Sequence, residues 1–333
     1  MISIQQIAKR LGVSTATVSR ALDPRYAHKV RPETRKKILD LCNEINYRPD
    51  ITGRSFVTGR TYKIGIILGA LQNDIGSPLF GLFMRAFCRT IQMHGYAATI
   101  LYAGTDDNLT DNAIEFLQSS VADAYLLGSS LLNTKLEYAV KKSKCPVITL
   151  NQTRKKLDGF YSIYRKLDSA YKEAWTHVKK DEMDNMVFIH GRDDTFKIFS
   201  LLDTAPSEIN LKDIALSYNF RYQDLDDFSE IYNISDRLQQ YSIIWCASDI
   251  IAFNICKAFR CNGIPKENMP RILGFDNAEE TIQNSPKPFI STIDPCWDEL
   301  GQTTAELLLD RLNNKEIPAE TGVDAKLILR ETF

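Results

Sequence analysis

The beginning of the chain carries apolar residues at the spacing of two short α-helices. In residues 4–11 they recur at helical spacing, and Ser3 with Gln6 matches the capping box that opens a helix. Gly12 supplies the left-handed residue that ends it. A second helix is expected over residues 15–22. Two short helices about a glycine turn predict a helix-turn-helix, although an ordinary helical hairpin has the same pattern.

A third helix and a linker follow. Pro32 suits the first position of a helix whose apolar stripe includes Ile38 and Cys42. The short, weakly apolar segment 50–60 is typical of a linker. Residues 1–63 carry 13 Lys and Arg against 5 Asp and Glu, an excess of eight positive charges. Because the whole chain has a net charge of −1, the remainder carries an excess of nine negative charges. A basic head on an acidic body favours contact between the head and nucleic acid.

From residue 62 onward, short apolar runs alternate with helix-length sequence. A run such as residues 63–68 is typical of a buried strand, and residues 79–94 predict the next helix. The alternation predicts parallel sheets in two doubly wound lobes, with a ligand cleft at the carboxyl ends of their strands. The strands are predicted at residues 63–68, 96–101, 124–127, 147–151, 186–190, 214–218, 243–246 and 271–275.

The sequence disfavours several classes of protein. No run approaches the roughly 18 apolar residues of a membrane span, and residues 1–6 lack the pattern of a signal peptide. Seven scattered cysteines without a C-x-x-C pair predict reduced thiols in a cytoplasmic protein. Glycine phosphate loops, nucleophile elbows and metal-spaced clusters are missing, so we expect no enzyme, metal or cofactor. His190, at a strand end, is interpreted as a structural histidine.

Ordered blocks of sequence carry a resemblance across nearly the whole chain. The run IQQIAKRLGVSTATVSRAL at residues 4–22 resembles the opening of the lac repressor (LacI/GalR) family of bacterial transcription regulators. Further blocks in the family's order are residues 32–35, 46–49, 53–56, 77–80, 247–249, 274–277, 291–295 and 299–301. The resemblance implies a small all-α helix-turn-helix head. It also implies an α/β core like periplasmic-binding-protein type I, with two doubly wound parallel-sheet lobes.

The resemblance assigns DNA contacts to the head. The second helix would enter the major groove, and a hinge helix would wedge into the minor groove and kink the operator. The implied base-reading residues are Thr15, Ala16 and Arg20. The implied phosphate-contacting residues are Ser3, Ser14, Thr17 and Ser19. The implied hinge residues are Arg54, Ser55 and Phe56, with Phe56 where the family usually has a wedging Leu.

The resemblance also implies an effector cleft between the lobes. The cleft-facing residues would be Phe80, Asn151, Ser248, Asp276 and Trp297. An aromatic plate with amide or carboxylate groups suits a sugar-like or nucleobase-like effector, whereas Phe80 and Trp297 could instead pack the lobes together. The family usually has an Arg in the helix after the strand that ends at Gly191. Residues 195–202 contain no Arg, and Lys197 does not stand at the matching position.

The implied domain boundaries follow from chain crossings near residues 161, 291 and 323. The DNA-binding domain would span residues 1–48 and the hinge or linker 49–61. The N-terminal core lobe would comprise residues 62–160 with 292–322, and the C-terminal core lobe residues 161–291 with 323–333.

Together these features predict a homodimeric transcription regulator, acting as a repressor, that binds a pseudo-palindromic operator in double-stranded DNA. A small effector in the cleft would change its DNA affinity. An alternative is a regulator whose core has lost effector binding and serves dimerisation or a protein partner. A solute receptor without a DNA role and an α/β enzyme with a helical appendage are the other classes. The basic head and the lack of catalytic motifs argue against these two.

Overall fold

A computed structural model gives the fold of most of the chain. The chain divides into two compact units, Met1–Thr61 and Tyr62–Phe333. The predicted hinge residues Arg54, Ser55 and Phe56 lie outside the described residues. The residues described are 3–22, 26–47, 58–68, 78–103, 108–119, 121–128, 133–151, 160–191, 195–206, 209–216, 229–283 and 287–333.

The described part of the first unit is helical. Its α-helices are α1 (Ile4–Leu11), α2 (Thr15–Leu22) and α3 (Pro32–Glu44). The predicted capping box is present: the Gln6 N–H donates to Ser3 Oγ at 3.3 Å, and the Ser3 N–H donates to Gln6 Oε1 at 2.8 Å. Gly12 ends α1 with a φ of 62°, in the left-handed region that favours glycine.

A small apolar core holds these three helices together. Ile7 of α1, Val18 and Ala21 of α2, and Ile38 of α3 are almost completely buried. Arg35 of α3 adds a polar contact, because its Nε donates to the Ala21 carbonyl at 3.3 Å. The helix-turn-helix predicted from the spacing of apolar residues is therefore confirmed within the described part of the head.

The second unit alternates strands and helices, as predicted. The strands are β1 (Lys63–Leu68), β2 (Ala97–Tyr102), β3 (Ala124–Gly128), β4 (Val147–Asn151), β5 (Tyr161–Lys166), β6 (Met186–His190), β7 (Leu211–Ala215), β8 (Ile243–Cys246), β9 (Arg271–Phe275), β10 (Ser291–Asp294), β11 (Glu320–Asp324) and β12 (Lys326–Ile328). The α-helices are α4 (Pro78–Met93), α5 (Leu109–Gln118), α6 (Thr134–Lys142), α7 (Asp168–Thr176), α8 (Thr195–Asp203), α9 (Ser229–Leu238), α10 (Asp249–Cys261), α11 (Glu279–Gln283) and α12 (Trp297–Leu312).

The described strands form two six-stranded sheets, one in each lobe. The first has the order β11-β5-β4-β3-β1-β2 and the second the order β12-β10-β9-β8-β6-β7. Neighbouring strands run parallel, except that β12 is antiparallel to β10. Buried parallel strands need apolar residues on both faces, which is why β1, β6 and β8 read as continuous apolar runs. The predicted fold class is confirmed.

The strands that carry the crossings between lobes correct the implied boundaries by a few residues. Strand β5 and all of β11 belong to the first sheet, whereas β10 belongs to the second. The chain therefore crosses after residues 166, 294 and 324, slightly later than the implied 161, 291 and 323. The apolar pattern of a strand does not say which of two sheets it will join, because that depends on pairing with distant strands.

Strand β7 also lies earlier than predicted. It occupies Leu211–Ala215, whereas the apolar pattern predicts residues 214–218. Its register pairs Met186 of β6 with Leu211, and β7 stands at the edge of the second sheet. One side of an edge strand faces solvent, so the strand can contain the exposed residues Lys212 and Asp213. These two residues interrupt the apolar pattern, and for this reason the pattern alone does not show that the strand begins at Leu211.

Helices α4 and α12 pack closely in the first lobe. Phe83 and Phe87 of α4 and Leu300 and Leu308 of α12 are completely buried between them. At Gly301 the helices approach so closely that a Cβ would lie 2.2 Å from the Phe83 carbonyl oxygen. The glycine thus fixes how α12, which begins immediately after a crossing, sits in this lobe.

Candidate DNA-binding face and effector cleft

The exposed side of α2 is the candidate DNA-binding face of the head. Val18 and Ala21 anchor the other side of the helix in the core. Ser14 caps the helix, because its Oγ accepts a hydrogen bond from the Thr17 N–H at 3.1 Å and lies 2.8 Å from Thr17 Oγ1. The N-terminus of α2 is therefore fixed relative to the core, with its positive dipole end exposed.

The residues predicted to contact DNA lie on or next to this face. Thr15, Ala16 and Arg20 are all exposed. Short hydroxyl and methyl groups allow a helix to approach base edges, and an arginine can donate to both acceptors of guanine. Of the residues predicted to contact phosphate, Ser3, Ser14 and Ser19 are exposed and Thr17 is half-buried. Ser3 and Ser14 stand at helix N-termini, where backbone N–H groups attract anions.

The carboxyl edges of the two sheets adjoin the hinge between the lobes. Strand β5 of the first sheet leads into α7, which packs in the core of the second lobe. Strand β10 of the second sheet leads into α12, which packs in the first lobe. The third crossing, from β11 to β12, leaves from the same edge. Because ligands collect at the carboxyl ends of parallel strands, this is the candidate effector cleft.

Lys197 of α8 lies on the cleft floor of the second lobe and is 5% exposed. Its Nζ donates to the Ala247 carbonyl at 2.5 Å and lies 4.0 Å from Oδ2 of Asp276. The same nitrogen is 4.4 Å from the centre of the Phe275 ring. Ala247 follows β8 and Asp276 follows β9, so a side chain from α8 covers the carboxyl ends of both strands.

The turn that carries Asp276 is tied to one of the crossings. Asp276 and Asn277 have φ values of 102° and 51°, which are costly for residues other than glycine. The Asp276 N–H donates to the Ile293 carbonyl at 2.9 Å. Asn277 Nδ2 donates to Asp294 Oδ2 at 3.0 Å, and Asn277 Oδ1 accepts from Arg330 at 2.7 Å. These bonds hold the strained turn against the end of β10.

Two aromatic residues predicted for the cleft lie on the first lobe. Trp297 is half-buried, and its Nε1 has no hydrogen-bond partner among the described atoms. The guanidinium of Arg165 lies 5.0 Å from the centre of the Trp297 ring. Phe80 stacks on Phe83, with ring centroids 6.0 Å apart and an angle of 15° between the planes. Phe80 thus contributes to lobe packing, while Trp297 presents an indole beside a cation.

The block after β8 supplies a cap and a buried carboxyl. Ser248 Oγ accepts from the Ile251 N–H at 3.3 Å and so caps α10. Asp249 is buried, and its Oδ2 accepts from the Ala278 N–H at 2.7 Å. Burial raises the pKa of Asp249 to about 8. Asn151 is the last residue of β4, and its side chain lies outside the described part of the structure.

Two cations near the cleft, Lys197 and Arg165, were not among the predicted cleft-facing residues. Lys197 does not align with the family's Arg, yet the approach of α8 to the sheet brings its ammonium to the strand ends. Arg165 lies in β5, a strand absent from the predicted set. A charged residue near a strand end is the signal that would have drawn attention to Arg165. His190 is buried as expected, with Nε2 2.9 Å from Asp213 Oδ1.

Two properties of the described residues concern membranes and metal ions. None of the helices described is long and apolar enough to cross a membrane. Among the same residues, no group of three or more His, Cys, Asp or Glu side chains could hold a metal ion.

Comparisons with known proteins agree with this architecture. Residues 3–50 match the family model "Bacterial regulatory proteins, lacI family", and residues 215–333 match the periplasmic binding protein-like domain. Catabolite control protein A of Staphylococcus xylosus is 24% identical over 324 residues, covering 95% of this chain and 94% of that protein.

Solved structures share the fold over almost the whole chain. The lac repressor dimer bound to operator and the anti-inducer ONPF has a TM-score of 0.74 at 15% identity, covering 99% of this chain and 98% of the other. The complex of the transcriptional regulator CelR with cellobiose has a TM-score of 0.65 at 16% identity and covers all of both chains.

The fold and the two candidate sites define a transcription regulator with a helix-turn-helix head and a two-lobed, periplasmic-binding-protein-like core. The family match at the head and the agreement of the relatives along the chain make the assignment specific. The chain therefore joins a DNA-binding domain of the lacI family to a periplasmic-binding-protein-like domain, and its relatives along the whole chain are transcriptional regulators. This assignment confirms the prediction of a regulator and not an enzyme.

Proposed function

We propose that the chain acts in the cytoplasm as a homodimeric repressor that binds a pseudo-palindromic operator. The observation that carries the proposal is the exposed face of α2, where Thr15 and Ala16 follow the Ser14 cap and Arg20 stands in the last turn. Two-fold symmetry presents this face twice, so each half-site is read by one head. The operator-bound dimer of the lac repressor supports this arrangement.

We further propose that a neutral, hydroxyl-rich effector of the sugar class binds in the cleft. Lys197 and Asp276 are close enough to offset each other's charge, so the pair offers a donor and an acceptor without excess charge. A hydroxyl group can satisfy both at once. The ring of Trp297 on the opposite lobe provides a surface for the apolar face of a sugar. Cellobiose in the CelR complex supports this class over a nucleobase.

The hydrogen bonds of the Asp276 turn provide the coupling to lobe closure. A ligand that engages Asp276 on one lobe and Trp297 on the other favours the closed arrangement. The turn is bonded through Asn277 to Asp294, and Asp294 Oδ1 accepts from the Cys296 N–H at 2.7 Å. A ligand held at Asp276 therefore acts directly on the crossing that leads into α12, and shifts DNA affinity by its differential binding to the two arrangements.

Selection of random duplex DNA with the full-length chain tests the DNA proposal. The expected winner is a palindrome whose log affinity falls steeply with log salt. Replacing Arg20 with Ala should cost about 1–3 kcal/mol on the winner and relax base preference at one position per half-site. Lys37, an exposed cation of α3, is the matched control. Its replacement by Ala should weaken binding to the selected operator and to random DNA by the same factor. If Arg20→Ala gave that same pattern, it would contradict base reading by Arg20.

Thermal shift measurements with ribose, cellobiose, glucose and adenine test the effector proposal. A sugar that raises Tm should also change the affinity for the selected operator, and Asp276→Asn should abolish both effects. Asp184→Asn, which removes a carboxylate from the same lobe at a position outside the cleft, should preserve them. Flat responses to every compound would favour the alternative in which the core serves dimerisation or a protein partner.

A further inference from the structure

The second lobe contains a cavity at the end of its sheet opposite to the effector cleft. Its volume is about 430 Å³, and it lies where α10 ends and β9 begins. Arg271, the first residue of β9, lines the cavity, whereas the cleft lies beyond Phe275, the last residue of that strand. At about 3.3 Å per residue, the strand alone separates the two sites by roughly 13 Å. We call this cavity the basic pocket.

Part of the wall of the basic pocket is apolar and aromatic. Ile272 and Cys256 are buried at its lining, and burial raises the pKa of the Cys256 thiol to about 12, so it remains protonated. Phe289 and Phe333 add two aromatic rings. A lining of this kind can hold the body of an apolar molecule, and the volume falls within the range of ligand pockets.

Two arginines face the aromatic rings of the pocket. The guanidinium carbon of Arg260 lies 4.8 Å from the centre of the Phe289 ring, and that of Arg271 lies 4.4 Å from the centre of the Phe333 ring. A guanidinium that lies over a ring keeps its N–H donors at its edge, in the plane of the group. Such an edge is suited to binding a carboxylate.

Two of the three cations that line the pocket form ion pairs within the described residues, whereas Arg260 is exposed at the pocket. Lys266 Nζ lies 2.6 Å from Oε2 of Glu331, and Arg271 donates to Oε2 of Glu182 at 2.9 Å. Arg260 is exposed, and no carboxylate of the described residues lies within 4.0 Å of it.

The lowered pKa of the Glu331 carboxyl group indicates that its surroundings are positively charged. Its pKa is lowered by the hydrogen bond and charge of Lys266, with smaller effects from Lys287 and Arg260. A carboxylate is therefore stabilised at this rim. Because Glu331 already occupies part of it, a second carboxylate is better accommodated than a doubly charged phosphate.

We propose that the basic pocket binds a small monocarboxylate with an apolar, ring-sized body. The body lies against Ile272 between Phe289 and Phe333, and the carboxylate accepts hydrogen bonds from Arg260. This site is separate from the effector cleft, so the proposal does not depend on a sugar binding there.

Backbone hydrogen bonds connect the pocket wall at Phe289 to the element that follows the cleft turn. The N–H groups of Phe289 and Ile290 donate to Oε2 of Glu279 at 2.8 and 2.9 Å. Glu279 is 2% exposed and begins α11, directly after the turn that carries Asp276. These hydrogen bonds connect the wall of the basic pocket at Phe289 to the helix that follows the turn of Asp276.

Calorimetry and saturation-transfer NMR on the full-length chain test the proposal, with phenylacetate as the probe. Phenylacetamide, which has the same body without the charge, should bind at least about tenfold more weakly. Arg260→Met should weaken the binding of phenylacetate by about the same factor, while the affinity for phenylacetamide stays unchanged. The matched control is Arg237→Met at the end of α9, an exposed arginine outside the pocket, which should bind both probes like the unaltered chain.

A second variant tests the position of the apolar body. Met269 lines the pocket, and Met269→Trp should fill it and abolish binding of both probes without removing a charge. Circular dichroism and Tm identify whether each variant remains folded, and Arg260→Met alone decides the matter if Met269→Trp does not fold. The proposal is overturned if acid and amide bind equally, if inorganic phosphate displaces phenylacetate at equal concentration, or if Arg260→Met leaves phenylacetate binding unchanged. Lack of phenylacetate binding at about 10 mM also overturns it.

Discussion

Replacing Asp249 with Asn should change how the stability of the core depends on pH. The carboxyl group is 3% exposed, and burial raises its pKa to about 8. Its Oδ1 has no hydrogen-bond partner among the described atoms and lies against Gly274, where a Cβ would come within 2.1 Å of it. The folded core therefore holds the protonated acid at neutral pH, whereas the unfolded chain ionises it near the ordinary aspartate pKa of 3.8.

The direction of the effect follows from proton binding. Between pH about 4 and 8 the folded state retains a proton that the unfolded state loses, so the free energy of unfolding decreases as pH rises. The limiting slope is about 1.4 kcal/mol per pH unit, and the accumulated loss is about 3–6 kcal/mol by pH 8. The amide introduced by Asp249→Asn does not titrate, and its carbonyl oxygen can still accept from the Ala278 N–H.

Urea unfolding followed by tryptophan fluorescence, repeated at pH values from about 4.5 to 8.5, measures this difference. The stability of Asp249→Asn relative to the unaltered chain should rise steadily with pH across the window. A constant difference for Asp249→Asn would refute the claim that the buried acid is protonated.

Two further predictions concern packing and the cleft floor. Gly301→Ala should cost about 3 kcal/mol in urea unfolding, since the new Cβ would lie 2.2 Å from the Phe83 carbonyl oxygen. Gly81→Ala, also in a helix but with nothing within 4 Å of the added Cβ, should be neutral or stabilising, and equal losses at both sites would contradict the packing argument. Lys197→Met should cost about 3 kcal/mol by leaving Asp276 buried without its ion pair. Adding Asp276→Asn should recover part of that loss, and strictly additive losses in this double-mutant cycle would refute the pairing.

Much of the head could be predicted because its signals are local. The bonds between Ser3 and Gln6 join residues three positions apart, and Gly12 ends α1 through its own backbone conformation. Such signals depend on neighbouring residues alone, so they can be recognised without a tertiary structure. The DNA roles of the exposed α2 residues and of Phe56 in the hinge remain predictions.

The core was predictable where strands are uniformly apolar and less so where they are not. Strands β1, β6 and β8 lie within the predicted runs, since a strand buried on both faces needs apolar residues throughout. The mixed strands β5 and β11 are absent from the predicted strands, and the crossings that follow them lie slightly later than the implied positions. Their polar residues are tolerated near the sheet edge, where one side is less buried.

The sequence by itself determined the order of helices and strands and the helix-turn-helix, because short-range periodicity and capping specify them. Only the tertiary structure decided which sheet each crossing strand joins and which side chains meet in the cleft. Lys197 and Ala247 are 50 residues apart in the chain, yet they form a hydrogen bond at the cleft floor. Contacts of that range depend on how helices approach a sheet after the chain has folded, and no local pattern encodes them.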